Sequence, residues 1–336
     1  MDDSLSCIVS STEDAALAAF NWIGSGQKEL ADQAATEAMK ETLATSVDFA
    51  GKVVMGEGKK DKSFGIFSGE TVGKQAKIWE TNPSRYEQLY GKKNLVWYDI
   101  AVDPIEGTTP TVTSGPEAMS VIALGTKGSM LKTDYFYMNR IVYGRKIKEK
   151  TDLSLDFPLE ENLRLASEST GKIVSDLMVC VLNRERHQRI INKLRKLNVK
   201  IKLLNDCDVA GAVAACLPNS NVDFLLGIGG SPEAVISAAA IKTLGGGMEA
   251  RIYDMGLTCP SDSVFSTEKE QWCPVSDIIP LDRIISGPAM FAATGITNGT
   301  ILNGIQLRGG RFITNSVFMR SDTNDVSWIT KYHGRH

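Results

Sequence analysis

The chain has 336 residues, 43% of them hydrophobic, and a formal net charge of −3. That is length for one large or two ordinary domains with a real core, and it excludes disorder as the ground state. Acids and bases are interspersed, no apolar run reaches membrane-spanning length, and the acidic start matches neither a signal nor a transit peptide, so the expectation is a cytoplasmic protein with no nucleic-acid and no membrane partner.

Taken in chain order, "STEDAALAAFNWIG" predicts a helix with Thr12 as its N-cap and Gly24 as its stop. "LADQAATEAMKETL" predicts a second helix with Leu30, Ala34, Ala38 and Leu43 on one face. "GKVVMGEG", "NLVWYDIAVD", "EAMSVIALG" and "DYFYMNRIVYG" read as strands. The stretch 74–93 is polar, aromatic and interrupted by proline, and 257–277 has loop composition; both read as flaps or surface insertions. From about residue 173, strands in "DLMVCVLN", "VKIKLL", "VDFLLGIGG" and "MEARIY" alternate with helices. Such alternation predicts a largely parallel sheet covered by helices, with ligands at the carboxyl ends of strands. The change of pattern places a domain boundary within 150–175.

The six cysteines form no CxxC pair and read as reduced, mostly buried thiols. With three histidines in all, a His-rich zinc site and a Ser–His–Asp hydrolase are poorly supported, and catalysis by carboxylates is the better expectation. Along "DIAVD" the side chains alternate, so Asp103 leaves the sheet at its carboxyl end and Glu106 follows across Pro104. Gly107 permits close backbone approach, and a helix can begin after it. Two carboxylates so close repel unless a cation lies between them, and Mg²⁺ or Mn²⁺ suits an all-oxygen site beside a phosphate. Glu57 in "GEG", Glu233 in "GIGGSPE" and Asp32 on the second helix are further carboxylates at strand ends or on a helix. Singly, they also read as a turn residue, a dipole-favoured first-turn residue and a solvated helix face.

"KELADQAATEAM", "GEG", "VDPIEGTT" and "GIGGSPEAVISAA", in that chain order, resemble the class II fructose-1,6-bisphosphatases of the lithium-sensitive, metal-dependent sugar phosphatase superfamily. The likeness runs from about Thr12 to the "FAATGITNGTILNGI" stretch. It implies a layered αβαβα sandwich in the α/β class, with residues 1–170 as a metal-binding phosphatase subdomain and 171–336 as an α/β sugar-phosphate-binding subdomain. It implies Asp32, Glu57, Asp103, Glu106 and Glu233 as ligands of Mg²⁺ or Mn²⁺. Thr108, Asp61 and Glu57 form the implied catalytic set around the attacking water. Lys28, Gly107 and Thr108 would meet the reacting phosphate, with Tyr137 a further substrate contact. Arg184 and Arg186 would hold the distal phosphate, Asp206 and Asp208 would receive sugar hydroxyls, and Gly229 and Gly230 would bring backbone N–H groups to the substrate. The implied reaction is release of the 1-phosphate of fructose 1,6-bisphosphate by a homodimer or homotetramer.

The chain departs from the family pattern in "GEGKKDKSFG", where Lys59, Lys60 and Lys62 surround Asp61. Three ammoniums there weaken metal binding or lower the Asp61 pKa unless they point at phosphate or solvent. "RERH" lacks the family proline, and "DCD" has Cys207 in place of glycine. The alternatives are therefore a sedoheptulose-1,7-bisphosphatase or broader sugar phosphatase, and a catalytically weakened paralogue that binds a sugar phosphate. A Rossmann-type reading of "GIGG" lacks the full GxGxxG spacing.

Overall fold

A computed structural model describes residues 3–45, 50–56, 66–91, 95–256, 265–267 and 270–334. The chain opens with helices α1 (Asp3–Phe20) and α2 (Lys28–Thr45), then strands β1 (Ala50–Met55) and β2 (Thr71–Val72). Helices α3 (Lys74–Thr81) and α4 (Pro83–Tyr90), strand β3 (Trp97–Glu106), helix α5 (Thr108–Val112) and strand β4 (Met119–Thr126) follow. The middle of the chain comprises β5 (Tyr137–Tyr143), α6 (Arg145–Lys148), α7 (Leu159–Thr170), β6 (Met178–Leu182), α8 (Gln188–Lys196), β7 (Lys200–Leu204) and α9 (Asp208–Cys216). It continues through β8 (Phe224–Gly230), α10 (Ser231–Thr243), β9 (Gly247–Met255), β10 (Trp272–Pro274), β11 (Ile279–Pro280) and α11 (Leu281–Ile284). The last strands are β12 (Ala289–Gly295), β13 (Gln306–Arg308), β14 (Arg311–Arg320) and β15 (Asp325–His333). The α/β class is as the sequence predicts. No helix among the described residues is long and apolar enough to cross a membrane.

These elements form two compact units, Met1–Lys132 with Gly287–His336, and Thr133–Ser286. The division differs from the 170/171 boundary because the last four strands rejoin the sheet of the first unit, and β5, α6 and α7 belong to the second.

The first unit is an eight-stranded sheet in the order β13-β14-β12-β4-β3-β1-β2, with β15 paired to β14. Only β1 and β3 run parallel among its described pairs. Ile100, Val102 and Ile105 of β3 lie in one core cluster with Ala31, Ala35, Met39 and Leu43 of α2 and with Ala15, Ala16 and Ala19 of α1. Small residues on the helices let the backbones approach the sheet, while the β-branched strand residues fill the pleat. Two predictions shift. Thr12 lies inside α1 and donates to the Val9 carbonyl at 2.8 Å, so it is no cap. The buried stripe of α2 is Ala31, Ala35, Thr36, Met39 and Leu43, and Leu30 is exposed. The stretch expected to be irregular after residue 74 is a pair of short helices. Asn82 caps the second by accepting the Arg85 N–H at 2.9 Å, Pro83 occupies its first turn, and Trp79 meets Tyr86 edge-on at 5.1 Å.

The second unit is a seven-stranded sheet in the order β10-β9-β5-β8-β6-β7, with β11 on β9. Strands β7, β6 and β8 are mutually parallel. Strand β5 is antiparallel to both β8 and β9. The crossover β8–α10–β9 therefore joins two like-directed strands, as the alternation predicts, but β5 from earlier in the chain sits between them. That insertion is why the sheet is mixed rather than largely parallel. One face carries Ile141, Val179, Val181, Phe224, Leu226 and Ile228 against Leu163 of α7 and Ile190, Ile191 and Leu194 of α8. On α9, Gly211 packs on Cys180 and Leu225, residues of the other face. Cys7, Cys180, Cys207 and Cys216 are reduced, as expected, whereas Cys273 is disulfide-bonded, contrary to the expectation of reduced cysteines.

Candidate functional site

In the first unit, the candidate site lies where β3 runs out. Asp99 belongs to the scaffold: its carboxylate accepts the N–H groups of Gly128 at 2.8 Å and Met130 at 3.2 Å. Asp103, half-buried, turns its Oδ1 back to accept the Ile105 N–H at 2.9 Å, which fixes the chain across Pro104. The pairing of β3 with β4 shifts register between Asp103 and Glu106, a bulge that re-aims both side chains. Glu106 is buried, and its carboxylate comes within 4.8 Å of that of Asp103. Gly107 then takes φ 97°, a left-handed turn that opens α5 and favours glycine.

Thr108, the first residue of α5, donates its hydroxyl to Asp32 Oδ1 at 2.8 Å. Asp32 comes from α2, so that bond joins the helix to the strand end. Burial pushes the Asp32 carboxyl up to about 6, against the lowering effects of the Thr108 bond and of Lys28. Lys28 opens α2 and donates to Thr109 Oγ1 at 2.8 Å. The structure thus brings Asp32, Asp103, Glu106, Gly107, Thr108 and Lys28 to one strand end of this unit. Glu57 and Asp61, with Lys59, Lys60 and Lys62, lie outside the described residues.

The donor set of this strand end fits a hard divalent cation. It is all oxygen, one carboxylate is driven toward its neutral form by burial, and two others crowd each other.

In the second unit, one edge of the sheet collects the residues expected to bind substrate. The carboxyl ends of β6, β7 and β8 lie beside the amino end of antiparallel β5, with Tyr137 opposite Gly230. Arg184 and Arg186 follow β6, Asp206 and Asp208 follow β7, and Gly229 and Gly230 end β8. Arg184 lies 3.7 Å from Asp206. Arg186 donates through Nε and Nη2 to the Ile228 carbonyl at 3.1 and 2.7 Å. Its guanidinium lies 5.7 Å from the centre of the Tyr137 ring and 5.2 Å from that of Trp272. Burial lowers its pKa from the ordinary arginine value, and the Tyr137 phenol works in the opposite direction.

Glu233 sits in the first turn of α10, and a Cβ on Gly230 would overlap its carboxylate. Gly229 is constrained in the same way: a Cβ there would overlap Asp208 Oδ2 and Arg140 Nη2, which are ion-paired. The two glycines therefore make room for carboxylates.

Three residues the sequence reading passed over shape this edge. Arg140 is the buried partner of Asp208, Trp272 stacks on Arg186, and His187 anchors β8. An arginine inside the apolar strand "YMNRIVY" is the one signal of the three, since such a charge demands a partner.

Carboxylates crowded at a strand end in one unit, and arginines with aspartates at a sheet edge in the other, suit a hydrolase of phosphate esters, and the comparisons show that class. The chain belongs to the family described as bacterial fructose-1,6-bisphosphatase, glpX-encoded, which it matches over residues 4–333. It is 37% identical over 331 residues to the fructose-1,6-bisphosphatase class 2 of Haemophilus influenzae, covering 96% of this chain and 93% of that protein. It is 35% identical to the fructose-1,6-bisphosphatase 1 class 2 of Escherichia coli K12, over 96% of this chain and 92% of that one. A relative from Synechococcus sp. JA-3-3Ab, named D-fructose 1,6-bisphosphatase class 2/sedoheptulose 1,7-bisphosphatase, is 35% identical over 99% of this chain and 96% of its own.

Proposed function

We propose that this protein hydrolyses the 1-phosphate of fructose 1,6-bisphosphate to fructose 6-phosphate and inorganic phosphate, with Mg²⁺ or Mn²⁺ held by Asp32, Glu57, Asp103, Glu106 and Glu233. The observation that carries the reading is the crowded strand end itself: Asp103 and Glu106 within 4.8 Å, beside Thr108 bonded to Asp32. Carboxylates brought this close repel each other, and a divalent cation between them would offset that repulsion and attract a phosphate. A bound divalent cation neutralises phosphate charge and acidifies a bound water.

The chain's own residues do the rest. Thr108, held by Asp32, orients the attacking water, and Asp61 assists in taking its proton. Lys28 and the Gly107 backbone meet the reacting phosphate at the start of α5. Arg184 and Arg186 bind the distal phosphate as fixed guanidiniums, whose planar forks suit its oxygens. Tyr137 flanks the sugar, and Asp206 and Asp208 accept its hydroxyls. The protein works in the cytoplasm as a homodimer or homotetramer.

Phosphate release from a panel of sugar bisphosphates, with Mg²⁺, with Mn²⁺ and with EDTA, tests the reading. Release from fructose 1,6-bisphosphate only when metal is present is the expected result. Preference for sedoheptulose 1,7-bisphosphate would move the assignment to the second activity in the name of the Synechococcus relative. Tight binding without release in any metal would sink it in favour of a binding protein.

A further inference from the structure

Arg140 and Asp208 form a buried ion pair whose hydrogen bonding is left open. Arg140 lies in the middle of β5 at 1% exposure, and Asp208 opens α9 at 4%. Arg140 Nη2 donates to Asp208 Oδ2. Arg140 Nε and Nη1 and Asp208 Oδ1 find no hydrogen-bond partner among the described residues. Buried charges are normally satisfied. In this same unit the buried Asp223 accepts from Lys172 at 2.7 and 2.9 Å and from the Met178 N–H at 2.8 Å. The open atoms of the Arg140–Asp208 pair therefore mark a place that a ligand completes.

Gly229 supplies the second observation. It sits at the carboxyl end of β8, on the edge where Arg184, Arg186 and Asp206 gather, and any side chain there would strike both members of the pair. The backbone is pared down where the pair meets the edge.

We propose that Arg140 is a positioning residue for sugar recognition. It holds Asp208 by Oδ2, so that Oδ1 accepts a hydrogen bond from a hydroxyl of the bound sugar bisphosphate, with Gly229 keeping the approach clear. This rests on the functional reading above and extends it to a residue that would not itself touch the reacting atoms. Arginine suits the task because one arm of its planar fork is committed to Asp208 while its long stem stays in the sheet.

The test is steady-state phosphate release from fructose 1,6-bisphosphate with Mn²⁺ by the wild type, R140K, R140Q and R140Q/D208N, with a thermal melt of each. R140Q is expected to raise KM about tenfold or more while kcat stays within about threefold. R140K, which retains a cation beside Asp208, is expected to fall between R140Q and the wild type. R140Q/D208N removes both charges together, leaves no lone buried ion, and carries the test if R140Q fails to fold. Its KM is expected to rise at least as much as that of R140Q.

A KM within about twofold of the wild type in the double variant, or a loss confined to kcat, would overturn the assignment. So would melting temperatures that drop while KM stays put, the mark of a purely structural pair. A wild type that releases no phosphate from any sugar bisphosphate would instead overturn the functional reading on which the inference rests.

Discussion

Thr108 holds Asp32 by a 2.8 Å hydrogen bond that ties the first residue of α5 to the second turn of α2. The bond opposes the burial that pushes Asp32 up to about 6. A side chain of the same shape without the hydroxyl removes both the tether and the oxygen that orients water. Thr108→Val is therefore expected to lower kcat by about 10²-fold or more, with Thr108→Ser retaining most of it. Rates at saturating substrate and metal decide the matter; equal rates in the two variants would contradict a role for the hydroxyl.

Asp103 has two functions that asparagine separates. Its Oδ1 accepts the Ile105 N–H at 2.9 Å and shapes the turn across Pro104, which an amide oxygen does equally well. Its charge, crowded by Glu106, is what a cation needs. Asp103→Asn is expected to lower kcat by about 10³-fold or more and to weaken Mn²⁺ binding in calorimetry. The melting temperature of the metal-free protein should stay within about 3 °C, since the Ile105 N–H keeps its acceptor. Near-normal turnover with an unchanged metal requirement would show that the ligand assignment is wrong.

Arg186 is more than a surface cation. Two of its nitrogens are spent on the Ile228 carbonyl, and Tyr137 and Trp272 flank the guanidinium. It thus presents a pre-set charge at the carboxyl end of β6. Arg186→Ala is expected to raise KM for the bisphosphate by about tenfold while changing kcat little. It should also cost about 1–2 kcal/mol of stability through the lost ring contacts. An equal KM effect on a sugar monophosphate would argue against contact with the distal phosphate.

The strand end of the first unit was legible because its chemistry is local. Asp103, Pro104, Glu106, Gly107 and Thr108 are near neighbours, and strand alternation, a φ-positive glycine and a helix start are short-range properties. The α/β class was legible from the run of strands and helices after residue 173. What local pattern could not carry was pairing at a distance. Nothing in "YMNRIVY" says that β5 will enter between β8 and β9, or that Arg140 will meet Asp208 across 68 positions of chain. Thr12 misled for a related reason. A threonine before an apolar run reads as a cap, but here its hydroxyl also meets that of Thr294, at 2.8 Å, so tertiary packing carries the helix past it. The helices of 74–90 escaped notice because Asn82 and Pro83 signal a cap as readily as a loop.

His187 makes stability depend on pH in a way that one substitution isolates. Its ring is fully buried, Nε2 accepts the Ile228 N–H at 2.8 Å, and Nδ1 donates to the Leu182 carbonyl at 2.9 Å. Gly227, at φ 137°, leaves space for that ring. Both bonds require neutral imidazole protonated on Nδ1. Burial brings its pKa down to about 3, with Arg186 adding to the effect. Because the folded value lies below the unfolded value of about 6.5, the unfolded chain binds the extra proton in the interval between them. The stabilisation is complete above pH ~6.5, declines as pH falls toward ~3 and is level below, with a slope of up to ~1.4 kcal/mol per pH unit. His187→Gln abolishes that titration. Urea unfolding at successive pH values from about 7 down to about 4 is expected to show the wild type losing stability more steeply than the variant, by ~1 kcal/mol per unit. Parallel curves for the two proteins would mean that His187 is already protonated in the native state, and that the bond to the Ile228 N–H does not hold in solution.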